Sequence, residues 1–252
     1  MPGSRLFCPD EDATRAVGVR LLTIDRPGYG RSDPRPDSSL LGWADDYAQF
    51  VHLLDLPLCP IIGWSGGGPY ALACAVRWPN LVTSVGLASS EMPRFEVPGG
   101  LDDVSPETRD LMDLLGRDRP AAIEGITRRC QWFADDPVGM IGQGVGPDDP
   151  DARLAAEPGM REVLEAGMRE AGRQGSAGVV ADWIVFGEPW GFSVAEVTQE
   201  VHLWEGGADA LAMPAWTEYV TRTIPRATLT TYADDGHAAL FPHWAEMLSA
   251  LA

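Results

Sequence analysis

Short apolar runs separated by polar punctuation recur along most of the chain. Five of them are aliphatic or β-branched and end at Gly, Pro, Asn or Asp: Val17–Ile24 (VGVRLLTI), Leu58–Gly63 (LCPIIG), Leu81–Ala88 (LVTSVGLA), Val201–Trp204 (VHLW) and Ala227–Tyr232 (ATLTTY). Runs of this length and bounding predict buried strands. Between them the period changes. Leu41–Leu54 sets Trp43, Tyr47, Phe50 and Leu54 at three- to four-residue steps, the stripe of an amphipathic helix. Pro69–Trp78 is rich in alanine and stops at Pro79-Asn80, while Pro214–Ile224 and Pro242–Ala252 open on a proline, which fits a first helical turn. Strands alternating with helices predict an α/β fold: a mostly parallel sheet with helices on both faces.

That rhythm breaks between about Glu91 and Pro189, where Gly, Pro and charged residues are frequent and helical patterns follow one another without strands. Ser105-Pro106-Glu107 reads as a helix start, with serine as cap, proline in the first turn and an acid beside it. The expected organisation is a core formed by 1–90 and 190–252, with 91–189 inserted as a helical lid. Met112, Leu115, Trp132, Phe133, Met140, Met160 and Met168 give the lid adaptable apolar surface, most of which simply packs. Trp132 and Phe133, together with Trp64, are the candidates for contact with a substrate.

Composition narrows the function. With 19 basic against 37 acidic residues the formal charge is -18, which repels phosphate backbones and anionic lipid heads and argues against nucleic-acid and membrane partners. Every basic side chain is arginine, so Schiff-base chemistry and a lysine phosphate clamp are excluded. Cys8, Cys59, Cys74 and Cys130 are widely spaced, without C-x-x-C or zinc spacing. Reduced thiols, no signal-like N-terminus and no run of roughly 18 apolar residues lead to the expectation of a cytoplasmic protein.

The chemistry concentrates in three places. Gly63-Trp64-Ser65-Gly66-Gly67 follows a predicted strand and precedes a predicted helix, the setting of a nucleophile elbow. There a tight, strained turn pushes the serine hydroxyl into the open, and small residues at 63 and 67 are expected to let the backbone close in. The helix N-terminus favours a developing oxyanion, with the Gly66 N–H as first donor. A serine hydroxyl needs a base. Of the four histidines, His52 and His243 fall on predicted helices and His202 within a strand, where packing or surface roles suffice; His237, in Asp234-Asp235-Gly236-His237, follows the last strand. Asp209, just after the strand Val201–Trp204, supplies the carboxylate that orients a histidine, although an aspartate in such a loop also serves as a helix cap.

The segments DRPGYGRS (Asp25–Ser32), GWSGGGP (Gly63–Pro69), HLWEGGAD (His202–Asp209) and DDGH (Asp234–His237) together resemble the α/β-hydrolase superfamily, within it the esterase, proline-iminopeptidase-like and C–C hydrolase group with a helical cap. The resemblance implies the order Ser65, Asp209, His237, a structural role for the turn Asp25–Ser32, and, because serine rather than aspartate occupies the elbow, neither epoxide hydrolase nor dehalogenase chemistry. Family members precede that turn with strands ending in His-Gly-x-Pro; Met1-Pro2-Gly3-Ser4 matches the tail of that motif, which puts the Met1 N–H in the place of the second oxyanion donor. By the same resemblance a strand is lacking between Val17–Ile24 and Leu58–Gly63, leaving a gap in the sheet, and the natural chain is expected to extend upstream by roughly 30–40 residues. The expected activity is hydrolysis of a small-molecule carboxylic ester or lactone, with an amide second, through an acyl-serine and without metal or cofactor. The alternatives are C–C hydrolysis or perhydrolysis on the same triad, or a silent relative that only binds a small ligand.

Overall fold

Four of the five apolar runs form strands: β1 (Cys59–Trp64), β2 (Val82–Ala88), β3 (Glu200–Gly206) and β4 (Ala227–Tyr232) pair in parallel in that order. The computed structural model describes residues 3–35, 37–102, 104–139, 141, 146, 148–211 and 214–252. Helices α1 (Glu11–Val17), α2 (Leu40–Leu53) and α3 (Gly68–Arg77) come from the first third of the chain. Six more, α4 (Pro106–Arg117), α5 (Arg119–Arg129), α6 (Gln131–Asp135), α7 (Pro150–Ala156), α8 (Pro158–Ala171) and α9 (Ala177–Phe186), lie between β2 and β3, with no strand among the described residues there. The chain ends with α10 (Pro214–Thr223) before β4 and α11 (Trp244–Leu251) after it.

The period of two along the strands divides the interior into two cores. Val85, Leu87, Val201 and Leu203 face α2, α3 and α10, while Ala88 and Trp204 face α1 and α11. Because all four strands are parallel, their carboxyl ends share one edge, and the loops that follow them converge there.

Val17–Ile24 is not a strand. Val17 ends α1, which is capped by Asp10 at its start and by left-handed Gly18 at its close, and residues 19–26 continue without regular structure. The run has strand composition but no partner: β1 pairs only with β2 among the described residues, and a groove of about 1150 Å³ separates Leu21 and Thr23 from Ile61 and Gly63. A strand exists by its ladder, so an apolar run facing a gap stays irregular.

The helices between β2 and β3 have a core of their own, with Leu115, Ile126, Phe133, Met168 and Ile184 packed around Tyr29. One buried acid ties them to the turn at Asp25–Ser32 and to α3. Asp182, alone among apolar neighbours on α9, accepts hydrogen bonds from Arg26 (2.6 Å), Tyr29 (2.7 Å) and Tyr70 (2.6 Å). The Arg26 guanidinium also lies over both rings, 5.0 and 4.5 Å from their centres. Burial, then the charge of Asp182, pushes both phenols well above their ordinary range, so they remain donors.

The turn at Asp25–Ser32 has its own buried anchor. The Asp25 carboxylate accepts from the N–H groups of Arg31 (2.9 Å) and Arg5 (2.6 Å) and from the Arg5 guanidinium (2.8 Å). Burial alone would raise this carboxyl, but those donors and the arginine charge outweigh it and hold it below its ordinary 3.8. The folded protein thus binds this proton more weakly than the unfolded chain. The resulting stabilisation is complete above the unfolded carboxyl's pKa and is lost as pH falls through the lower folded value. Asp25→Asn is therefore expected to flatten the decline in urea-unfolding stability below about pH 4. An acid limb as steep as that of the parent protein would contradict this assignment.

Candidate active site

Each candidate catalytic side chain stands just beyond a strand. Ser65 follows β1 in a single tight turn, Ser65–Gly67, that leads into α3. Its φ is 53°, left-handed for a residue with a Cβ, a strain of about 1–3 kcal/mol that the surroundings must hold in place. The Ser65 carbonyl accepts the N–H of Glu91 at 3.0 Å and that of Gly68. A Cβ at position 63 would lie 2.5 Å from the carbonyl carbon of Gly67, so only glycine fits. At position 67 a Cβ would meet open space. The sequence expectation of crowding at 67 is therefore corrected: the crowded neighbour is Gly68, where a Cβ would overlap the Ser90 hydroxyl.

Asp209 follows β3, and His237 follows β4. His237 Nε2 is 2.8 Å from Ser65 Oγ, and its Nδ1 is 2.9 Å from Asp209 Oδ2. The Asp209 side chain is wholly buried and that of His237 is 11% exposed, so solvent does little to loosen the pair. The other Asp209 oxygen accepts the Leu211 N–H at 2.8 Å. The histidine loop is braced on several sides. Trp64 donates its indole N–H to the His237 carbonyl (3.0 Å), Asp151 accepts the His237 N–H (2.9 Å), and His243 meets Asp235 at 2.6 Å while stacking on Tyr232. The remaining histidines stay away from Ser65: His202 stacks on Trp204, and His52 bonds the Ala48 carbonyl.

A cavity of about 240 Å³ opens at Ser65 and His237. Leu87, Met92, Leu203, Trp204, Leu211 and Trp216 give it apolar walls; Ser89, Glu91 and Glu205 give it polar ones. Glu91 is paired with Arg94, but Glu205 Oε2 and Ser89 Oγ are buried without a hydrogen-bond partner. Unpaired buried oxygens are uncommon, and here two border one cavity.

The other candidates are placed differently. Gly66 is buried within the turn after Ser65, and Met1 lies outside the described residues, as does Met140. Trp64 is packed between Phe7 and Phe241, behind the histidine loop rather than on the cavity wall. Trp132 is 43% exposed and Phe133 is fully buried among α5, α6 and α8. Consecutive residues on a helix point about 100° apart, so one faces solvent and the other the helical core; neither borders the cavity. Asp182 and Asp151 escaped the sequence reading. A lone acid inside AGVVADWIVF was a usable signal for Asp182, whereas Asp151 sits in the acidic run Asp148-Asp149-Pro150-Asp151, where nothing distinguishes it.

A parallel sheet that carries such a series on the loops after its strands has the architecture of an α/β hydrolase. The chain belongs to the alpha/beta hydrolase family, which it matches over residues 4–250. It is 27% identical over 229 residues to the pimeloyl-(acyl-carrier protein) methyl ester esterase of Aromatoleum aromaticum, covering 90% of this chain and 84% of that one. It is 31% identical over 123 residues to the 2-hydroxymuconate semialdehyde hydrolase of a Pseudomonas species, 46% of this chain and 42% of that protein. Among solved structures, an esterase from Thermogutta terrifontis superposes with a TM-score of 0.69 at 21% identity, covering 99% of this chain and 84% of that one.

Proposed function

We propose that this protein is a serine hydrolase that cleaves a small-molecule carboxylic ester or lactone through an acyl-serine intermediate. The observation that carries the reading is the unbroken series from Ser65 Oγ through His237 to buried Asp209, with contacts of 2.8 and 2.9 Å. Neutral His237, with its proton on Nδ1 directed at Asp209, takes the Ser65 proton at Nε2 as the serine attacks the ester carbonyl. Asp209 stabilises the imidazolium that forms. The Gly66 N–H, in the turn that leads into α3, donates to the oxyanion. Collapse of the tetrahedral intermediate expels the alcohol, protonated by His237, and leaves the acyl-serine; His237 then deprotonates water to release the acid. The segment 91–189 forms the lid, and among the described residues its Glu91 and Met92 border the cavity.

The cavity's chemistry supports a substrate class. Its walls are largely apolar, its unpartnered polar atoms are one carboxylate oxygen of Glu205 and the Ser89 hydroxyl, and no arginine borders it among the described residues. Such a site suits an uncharged ester whose polar group can donate a hydrogen bond, and it disfavours a second carboxylate, since like charges a few ångströms apart repel by about 1–4 kcal/mol. Neutral short-chain p-nitrophenyl and methyl esters are therefore expected to be hydrolysed, with kcat/KM at least ~10-fold above that for monoesters of dicarboxylic acids. No turnover of any ester above the buffer rate would remove the reading; equal or better turnover of the acidic monoesters would remove its substrate class.

A further inference from the structure

One side chain from the helices between β2 and β3 reaches the histidine loop directly. Asp151, on α7, accepts the His237 N–H on Oδ2 at 2.9 Å and the Ala238 N–H on Oδ1 at 2.8 Å. The bonds join residues 86 and 87 positions apart in sequence. They require a bare backbone beside them, because a Cβ at Gly236 would lie 2.5 Å from Asp151 Oδ1. The carbonyl of His237 is meanwhile fixed by the Trp64 indole. The peptide units on either side of the histidine are thus held at N–H and C=O by two side chains from different parts of the fold.

We infer that Asp151 is a positioning residue for the reaction: through the His237 backbone it fixes where the imidazole projects, and it makes that placement depend on the seating of α7. The inference rests on the reading of Ser65 and His237 as nucleophile and base. A carboxylate suits the task because it offers two acceptor oxygens to two adjacent N–H groups and has no donor to oppose them. With the clamp gone, water satisfies the N–H groups, so the fold survives, but the loop is no longer tied to one place. A displacement near 1 Å at a catalytic group costs on the order of 100-fold in rate.

The test compares the parent protein with Asp151→Asn, Asp151→Ala and Gly236→Ala in steady-state kinetics, in the rate of labelling by a small fluorophosphonate, and in urea unfolding. Asparagine keeps one acceptor and turns a donor toward the other N–H; Gly236→Ala keeps Asp151 and forces it away. The expected result is kcat lowered by roughly 10-fold for Asn and 100-fold for Ala, KM nearly unchanged, and labelling slowed in parallel. Gly236→Ala is expected to reproduce this pattern, with all variants folded at the assay temperature. Unchanged kcat and labelling, a change confined to KM, or losses that match the unfolded fraction would each overturn the inference. A parent protein that does not label at all removes the Ser65 reading itself, and the inference with it; a parent that labels beside variants that label equally fast removes the inference alone.

Discussion

Ser65→Ala is expected to lower kcat for ester hydrolysis by about a million-fold, and His237→Ala by a similar factor. Asp209→Asn is expected to cost roughly ten-thousand-fold, because the imidazole loses the partner that fixes its tautomer while the site keeps its shape. The three changes are strongly non-additive. The groups act in series, so once the nucleophile is gone, removing its base costs little more, and the double variant Ser65→Ala/His237→Ala should match the single ones. Stability should hardly change in Ser65→Ala, since the alanine occupies the same space and the turn is held by the Ser65 carbonyl rather than by its hydroxyl. A double variant far less active than Ser65→Ala would mean that His237 has a role independent of the serine. The rates of the purified variants on one neutral p-nitrophenyl ester decide the matter.

The second large effect concerns stability. Asp182→Ala is expected to destabilise the protein by about 3–5 kcal/mol, because it leaves the Arg26 charge buried without a counter-ion. The two tyrosine hydroxyls also lose their acceptor. That is a large fraction of the roughly 5–15 kcal/mol available to a folded domain. The pair itself need not be strongly stabilising, since removing both charges from water has its own cost. The combined change Asp182→Leu/Arg26→Met, which leaves no lone charge, should therefore be milder than Asp182→Ala alone. Chemical denaturation of the two variants measures this. A loss below about 1 kcal/mol for Asp182→Ala would mean that solvent reaches Arg26, contrary to its buried position under two aromatic rings.

Much of the sheet was legible in the sequence because its strands are short, rich in aliphatic and β-branched residues and sharply punctuated. Leu58–Gly63 was displaced by one residue from β1, and Ala227–Tyr232 coincides with β4. Val17–Ile24 failed because composition reports what a segment can do, while a strand also needs a neighbour. The missing signal lay just upstream: Asp10, the acids after it and Gly18 frame the helix α1 that the apolar run obscured. Of the candidate site, Ser65, Asp209 and His237 were legible because the proposed chemistry demands fixed residue types after strands, and the structure brings them within hydrogen-bonding reach. The cavity walls were not. Trp132 and Phe133 were chosen as large apolar residues, yet which way a helix turns them depends on packing between distant segments. Glu205, one residue past the expected end of its strand, borders the cavity because β3 extends to Gly206.

The central claim is that Ser65 is an activated nucleophile. Incubation with a fluorophosphonate, followed by peptide mass spectrometry, tests it directly. The account requires a single stoichiometric adduct on the peptide containing Ser65, abolished by Ser65→Ala and slowed by several orders of magnitude in His237→Ala. An intact protein that stays unmodified, or one that carries its adduct on another residue, would contradict it.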